Sequence, residues 1–432
     1  MAKRLMRWAV VACVLLLLAG CSPITFQGVN DLLRAPALDQ AQDEIRKALV
    51  AYLGGVEPKY KFPKEGDWRS FLLLADLDGN GLEEAVLLYS MADVPGAPAE
   101  KGTSVYVAVL EQQNGAWQVT QDVQGLSTDV ASLEVADLLG GEGMQLIIGY
   151  ATANFNAKTL GLYTYQNATL AEQHRLEYSR YEIGDFTGSG KQELAVVSRE
   201  DQNLQLLYIP VVDGAFAGEL APVALDSNFT QCTGLVAGQT HAGERLLVVD
   251  GTSSDTSALF TQFVYYSGAR FYTIDDLGTM RASTARQNPL LLSRDIDGDG
   301  VVEIPLRMGE NAIETIRGDK RLEYVEWMDF TDPEEGAVYR QYGLLDSDRA
   351  VYIRLPDEWR NAVRILDGEN AGEWVLQNRL SGATLLSLHV LEQSDPEPFG
   401  YRLVPGTIST YLRTHTMVSA EARETIDMLL LQ

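Results

Sequence analysis

The chain has little of what most catalytic signatures are made from. Among its 432 residues there are four histidines and three cysteines. His174, His241, His389 and His415 stand far apart, and no His-x-x-x-His or Cys-x-x-Cys pair occurs, which excludes the common zinc arrangements. Gly-x-Ser-x-Gly is absent, and with it the nucleophile turn of the α/β-hydrolases. Gly188-Ser189-Gly190-Lys191 imitates the end of a phosphate loop. Asp185 stands where its first glycine belongs and Gln192 where Ser or Thr would hold magnesium, so it reads as a turn. Basic residues are few: 34 Lys and Arg face 60 Asp and Glu, for a net charge of −26. A surface of that sign repels nucleic acid, whose binding rests on neutralised phosphates, and keeps the body off anionic lipid heads. Carboxylate pairs able to hydrolyse glycosides stay open, because their separation is a property of the fold.

The first residues carry Lys3, Arg4 and Arg7, then an apolar run from Trp8 to Leu18, then Ala19-Gly20-Cys21. A charged start, a short apolar stretch and small residues before a cut describe a secretory signal over 1–20, and the run is too short to span a bilayer comfortably. Leu18-Ala19-Gly20-Cys21 resembles a bacterial lipobox, which implies cleavage before Cys21 and diacylglycerol on its sulfur. Two acyl chains anchor stably where one is marginal. Cys13 then leaves with the signal, Cys21 is modified, and Cys232 has no disulfide partner; a lone thiol of that kind is a small buried residue. Loss of the three basic residues takes the net charge to −29. Residues 21–38 form a tether of ~20–25 Å mean span. In 39–59, Ile45, Leu49, Tyr52 and Leu53 fall at helical spacing, which predicts an amphipathic helix over 39–53, ended by Gly54-Gly55 and docked on the body of the chain that follows.

Two stretches organise the rest. Phe71 to Tyr89 reads FLLLADLDGNGLEEAVLLY, and Leu290 to Met308 reads LLLSRDIDGDGVVEIPLRM. In each, an apolar strand enters an acidic, glycine-rich loop and leaves along a second apolar strand. Asp76, Asp78, Asn80 and Glu84 offer side-chain oxygens at alternate positions, as do Asp295, Asp297, Asp299 and Glu303; the carbonyls of Leu82 and Val301 sit where such loops add one more ligand. Calcium wants six to eight hard oxygens in flexible geometry, so up to two structural Ca2+ sites are expected. Asp and Gly are also the residues that tight turns use without metal. An EF-hand would need Glu at position twelve, where Leu87 and Leu306 stand.

Asp-x-Asp-Gly-Asn/Asp-Gly-x-x-Glu followed by apolar residues resembles the FG-GAP/VCBS calcium loops of integrin-like and bacterial surface β-propellers, with Glu where that family usually has Asp at position nine. Weaker copies begin at Asp137, Asp185 and Gly238, so the five starts are spaced by 61, 48, 53 and 57 residues. The loop from Asp185 keeps Thr187, Ser189 and Glu193, that from Asp137 keeps Glu142, and that from Gly238 has no carboxylate before Glu244. Each period has room for about four short strands, which predicts one propeller blade. The expectation is a mainly β chain: a propeller of five or six blades over 60–345. Two stacked β-sandwiches are the other reading.

From 346 to 432 the texture changes and predicts a separate small α+β domain. Its strands are expected near 350–355, 362–366, 373–377, 383–391, 401–404 and 407–414. Ser419 is expected to cap a last helix with Ala422, Ile426, Leu429 and Leu430 on one face. The N-terminal run together with KYKFPKEGDWRSFLLLADLDGNGLEEAV is similar to uncharacterised VCBS-repeat lipoproteins of Gram-positive, clostridia-like bacteria. That resemblance implies a location, the outer face of the cell membrane, and a fold, but no reaction. The first expectation for function is a lipid-anchored binding or scaffolding module that presents a face to a protein or glycan partner. The other is a polysaccharide lyase or glycosidase, with His241 near Arg245 and Tyr265 and Tyr266 further on as the set it would use.

Overall fold

The computed structural model describes residues 40–430 except 99–100, 142, 156, 218–220, 254–257, 269, 275–281, 308–321, 332–335, 371, 392–397, 405–406, 408 and 427. The expected signal, the tether and Cys21 lie outside the described residues, as does Glu142. No described helix is long and apolar enough to cross a membrane.

Helix α1, Gln40–Tyr52, buries Ile45 and Leu49 completely, as their spacing of four predicts. They pack with Leu87, Tyr89, Tyr106 and Ala108 on one face of the first sheet, so the helix is docked as expected. Gly54 and Gly55, with φ of 72° and 86°, end it by returning their N–H groups to the carbonyls of Ala51 and Val50.

Among the described residues, six antiparallel sheets of four or five strands follow the helix in chain order, with a two-stranded hairpin, Val211–Val212 and Ala215–Phe216, ahead of the last strand of the third. The first contains Leu72–Ala75, Glu84–Ser90, Val105–Gln113 and Ala116–Gln124, with Lys59–Tyr60 sharing the inner edge of Glu84–Ser90. The second contains Asp129–Ala136, Gln145–Ala151, Lys158–Gln166 and Thr169–Glu177. The third contains Arg180–Gly184, Glu193–Glu200, Asn203–Ile209 and Ala221–Ala224, and the fourth Phe229–Gln239, Arg245–Ser253, Leu259–Tyr266 and Phe271–Thr273. In each of these the strands pair in the order they are made, the meander of a propeller blade.

The second strand of a sheet is often apolar throughout rather than alternating, because both its faces are covered. Glu84–Ser90 and Gln145–Ala151 are buried at every residue. Val86, Leu88, Val107 and Val109 of the first sheet meet Leu133, Leu146, Ile148 and Tyr150 of the second. Ile147 and Leu162 then meet Leu194 and Val196, Val197 and Leu206 meet Leu247 and Phe260, and Leu246 and Val248 meet Val302 and Ile304. Each such side chain contributes ~1.5–3 kcal/mol on burial. The fold is mainly β and of propeller type, with sheets packed face to face in sequence.

The fifth sheet departs from the pattern. Its expected inner strand is reduced to the antiparallel bridge Arg294↔Glu303, ahead of Glu303–Arg307, Leu322–Asp329 and Val338–Asp346. Val351–Leu355 pairs with Val338–Asp346, and Met428–Leu430 pairs with Val351–Leu355. The boundary expected at Asp346 therefore falls inside one sheet. The last helix is also shorter than expected. Helix α2 covers Ala420–Thr425, capped as predicted by Ser419 Oγ, which accepts from Ala422 N at 3.0 Å; Ile426 is already extended, with φ −71° and ψ 102°. The free edge of Val351–Leu355 takes the chain end as a strand, because pairing satisfies backbone groups that a helix there would leave exposed.

The sixth sheet runs Val363–Asp367, Glu373–Asn378, Thr384–Val390, Thr410–Thr414, Arg402–Leu403 in spatial order. Leu344 and Ile353 of the fifth sheet share a core with its Ile365, Leu376, Leu388 and Leu412. The expected C-terminal domain is thus a sheet and a short helix built onto the fifth sheet.

Candidate metal centres

Each acidic loop joins the first and second strand, or bridge, of its sheet. In the loop after Leu72–Ala75, Asp76 bends the backbone around its own carboxylate. Its Oδ1 accepts from Gly79 N at 2.8 Å and Asn80 N at 3.1 Å, and its Oδ2 from Gly81 N at 2.9 Å. Gly79 and Gly81 take φ of 78° and 83°, which side-chain-bearing residues rarely adopt. Asp295 repeats the arrangement on Gly298 N, Asp299 N and Gly300 N at 2.7, 3.2 and 2.8 Å. Glu84 and Glu303 are anchored from the exit strand: one oxygen of each accepts from Leu77 N at 2.8 Å and from Ile296 N at 3.0 Å.

The consequence is convergence. Carboxylate oxygens of Asp76, Asp78 and Glu84 lie within 4.8 Å of one another, as do those of Asp295, Asp297 and Glu303. Either trio can hold a metal ion. Asn80 and Asp299, expected in the same sets, accept from Leu82 N and Val301 N at 2.7 Å each and so help to hold the turn. Leu82 and Val301 enter as these N–H donors, with Val301 also in a parallel bridge to Gln239.

Glu303 is fully buried, and its Oε1 has no hydrogen-bond partner. Burial first, then the carboxylates of Asp297, Asp299 and Asp295, push its carboxyl up to about 8 against the opposing bond from Ile296. Glu84 is shifted upward for the same leading reason. Three acids facing a buried, unsatisfied oxygen are stable only with a proton or a cation among them. The residues present fit a hard divalent ion.

In the middle loops protein hydrogen bonds occupy the corresponding groups. In the third, Glu193 Oε1 accepts from the hydroxyls of Thr187 at 2.5 Å and Tyr208 at 3.0 Å, and its Oε2 from Phe186 N and Thr187 N. In the second, Gln145 stands at position nine and its Oε1 accepts from Leu138 N and Leu139 N at 2.7 and 2.9 Å. In the sequence its signal is an amide in the place of the Glu. In the fourth, Thr240 Oγ1 accepts from Glu244 N at 3.2 Å.

The five loops also touch in turn along one rim. Met144 N donates to Asp76 O at 3.0 Å, Asp137 N to Gln192 Oε1 at 3.0 Å, and Gln239 N to Gly300 O at 2.9 Å, while Arg245 lies 3.8 Å from Asp185. The two acidic trios are the first and last members of this row.

Of the residues expected for a lyase, His241 and Tyr265 meet on one network through Asp329 and Thr331, whose N and Oγ1 both donate to Asp329 Oδ1 at 2.7 Å, while Arg245 and Tyr266 stay outside it. His241 Nε2 sits 2.6 Å from Asp329 Oδ2, and Arg340 reaches both Asp329 and His241 Nδ1, at 3.0 and 3.1 Å. Arg245 faces Asp185 instead. Tyr265 is buried and donates to Thr331 O at 3.1 Å, and Tyr266 packs on Phe271.

No family model matches the chain, and no curated protein matches it. Among solved structures, the exotype rhamnogalacturonan lyase YesX overlaps 73% of this chain and 60% of its own, at 13% identity and a TM-score of 0.30. The chain thus spans about three fifths of that lyase. The Dos1 propeller overlaps 69% of this chain and 80% of its own, at 11% identity and a TM-score of 0.30. A protein from Lactobacillus plantarum overlaps 76% and 83%, at 11% and 0.31. Overlaps this shallow leave the fold resting on the chain's own sheet order.

Proposed function

We propose that the chain is a binding or scaffolding module of the bacterial cell surface, anchored to the outer face of the membrane through lipidated Cys21. Its propeller-type body is pinned by calcium in the first and fifth loops and held out as a rigid surface toward a protein or glycan partner. The observation that carries the calcium reading is the buried, unpartnered Oε1 of Glu303 beside Asp295 and Asp297. At extracellular millimolar levels even a weak site of this kind stays filled. Asp295, Asp297 and Glu303, and likewise Asp76, Asp78 and Glu84, would hold the ion. The ion would supply the positive charge that the clustered acids otherwise lack, so its role is to order the rim.

The alternative, a polysaccharide-acting enzyme, keeps His241 and Tyr265 on one network through Asp329 and Thr331 but turns Arg245 toward Asp185 of the third loop. The reading is tested by cross-linking on intact cells and purification of the lipoprotein. One protein retained in near-equal amount, or a retained glycan left uncleaved, is the expected result. Cleavage of the retained polysaccharide by the purified protein would overturn it in favour of the enzyme.

A further inference from the structure

The sixth sheet carries a second site. Its Leu376, Leu386, Leu388 and Leu412 face the fifth sheet, as the core there requires. On the second to fourth sheets the opposite face is apolar too, because the next sheet covers it. Here, alternation places Gln377, Ser387, His389 and Arg413 on that opposite face instead. Together with Phe399 and Tyr401 of a neighbouring turn they line an open cavity of about 730 Å³. That volume lies within the ~300–1,000 Å³ of small-molecule sites.

The cavity is built rather than incidental. At its floor Ser387, 2% exposed, shares a hydrogen bond with His415 Nε2 at 2.8 Å. On its wall Tyr401 donates to Glu373 Oε1, while Asn370 donates twice to Glu373 Oε2, from N at 3.2 Å and Nδ2 at 2.9 Å. Both oxygens of Glu373 are therefore engaged, and the ring of Tyr401 is fixed with the Arg413 guanidinium 5.9 Å from its centre. Phe399 lines the same cavity yet stays 98% exposed, so its ring stands free at the mouth.

We infer that this cleft binds a neutral, hydroxyl-rich saccharide. Hydroxyl, amide, imidazole and guanidinium groups lining one cavity offer donors and acceptors in alternation, which suits a ring of hydroxyls. An anionic ligand is repelled, since Asp367, Glu369 and Glu373 outnumber Arg413. A cationic ligand is drawn by Asp367 and Glu369 but finds the Glu373 carboxylate already engaged by Tyr401 and Asn370 and Arg413 beside it, so a cationic probe belongs in the test. An apolar ligand would strand the polar floor. The free ring of Phe399 and the held ring of Tyr401 give the apolar C–H face of a pyranose surfaces to lie on. The cleft supplies a surface and a ligand class that the display reading leaves open, and its binding rests on no part of the calcium reading.

The test is a titration calorimetry series on the full-length protein with maltotriose, cellotriose, laminaritriose and chitotriose as neutral probes, and trigalacturonate and spermidine as charged ones. At least one neutral trisaccharide is expected to bind saturably. Phe399→Ala and Arg413→Ala, both at exposed positions, are expected to weaken it about tenfold or more, at unchanged melting temperature. Absence of binding by every neutral probe overturns the inference. So does binding that neither substitution weakens, or tighter binding of trigalacturonate or spermidine. Loss of calcium-dependent melting alone would leave this result standing, and the failure of the titration would leave the calcium result standing.

Discussion

One carboxylate oxygen of Glu303 accepts from the backbone N–H of Ile296, at 3.0 Å, and the other is buried without a partner. The first contact is enough to place the side chain, so the second oxygen is free for a ligand. Calorimetric melting in calcium and in chelator should therefore differ, by ~2.7 kcal/mol for each site filled at a hundredfold excess over Kd. Glu303→Gln keeps an acceptor for Ile296 N but removes the charge. It should lose the gain from the fifth loop while melting no lower than the parent in chelator. An equal calcium response in parent and variant would show that the fifth loop holds no ion.

Glu193 makes the opposite prediction from the equivalent position. Thr187 and Tyr208 already donate to its Oε1. Thr187→Val removes one donor in a partly buried site and should cost ~1–3 kcal/mol in urea denaturation, by the same amount with or without calcium. A calcium-dependent cost would mean that the third loop also binds metal.

Asp250 and Arg286 form a buried pair at 2.6 Å, with side chains 2% and 1% exposed, between the fourth sheet and the approach to the fifth. Ser293 and Thr261 donate to the same carboxylate. Arg286→Met leaves that charge buried without its partner and should cost ~3–5 kcal/mol. Adding Asp250→Asn should recover part of the loss, since the uncompensated charge, rather than the missing bond, dominates it. A double variant weaker than the single one by the full effect of Asp250→Asn would refute this coupling.

Glu182 lies on the inner strand of the third sheet, and burial pushes its carboxyl up to about 7, opposed by a backbone bond from Ala237 and aided by Glu134. The folded state holds its proton more tightly than the unfolded chain, whose carboxyl has the ordinary value of 4.5. The stability this group contributes is present in full below about 4.5 and is lost as pH rises through about 7, at most on the order of 3 kcal/mol. Glu182→Gln should flatten that part of the profile of melting temperature against pH. An unchanged slope would assign it to other groups.

Much of this architecture was legible because its parts are local. Asp-x-Asp-Gly fixes a turn by bonds within six residues, so Asp76 and Asp295 could be placed from sequence, and the spacing of Ile45 and Leu49 places α1 on its sheet. What failed was decided at a distance. Ile426, Leu429 and Leu430 fit a helical face as well as a strand, and the free edge of Val351–Leu355, some 75 residues earlier, settles it. Gln145 reads as an ordinary strand residue until its amide oxygen is seen on two loop N–H groups. The cleft of the sixth sheet gathers residues from Asp367 to His415 that only strand order brings side by side. No spacing in the sequence announces it.

Cys232 and Cys21 separate the two fates of a thiol in this chain. Cys232 is 2% exposed, and burial pushes its thiol up to about 12, so it is a packing residue that reagents should reach only on unfolding. The Cys21 expectation is the reverse: an accessible sulfur that carries the anchor. Replacement of Cys21 by Ser should abolish labelling with a radiolabelled fatty acid and should shift the protein out of the membrane fraction. Cys232→Ser should leave both unchanged and cost only the stability of a buried site. If the Cys21→Ser protein stays labelled and sediments with membranes, the acyl anchor is not on Cys21; if it loses the label but still sediments, its partner rather than the lipid holds it at the surface.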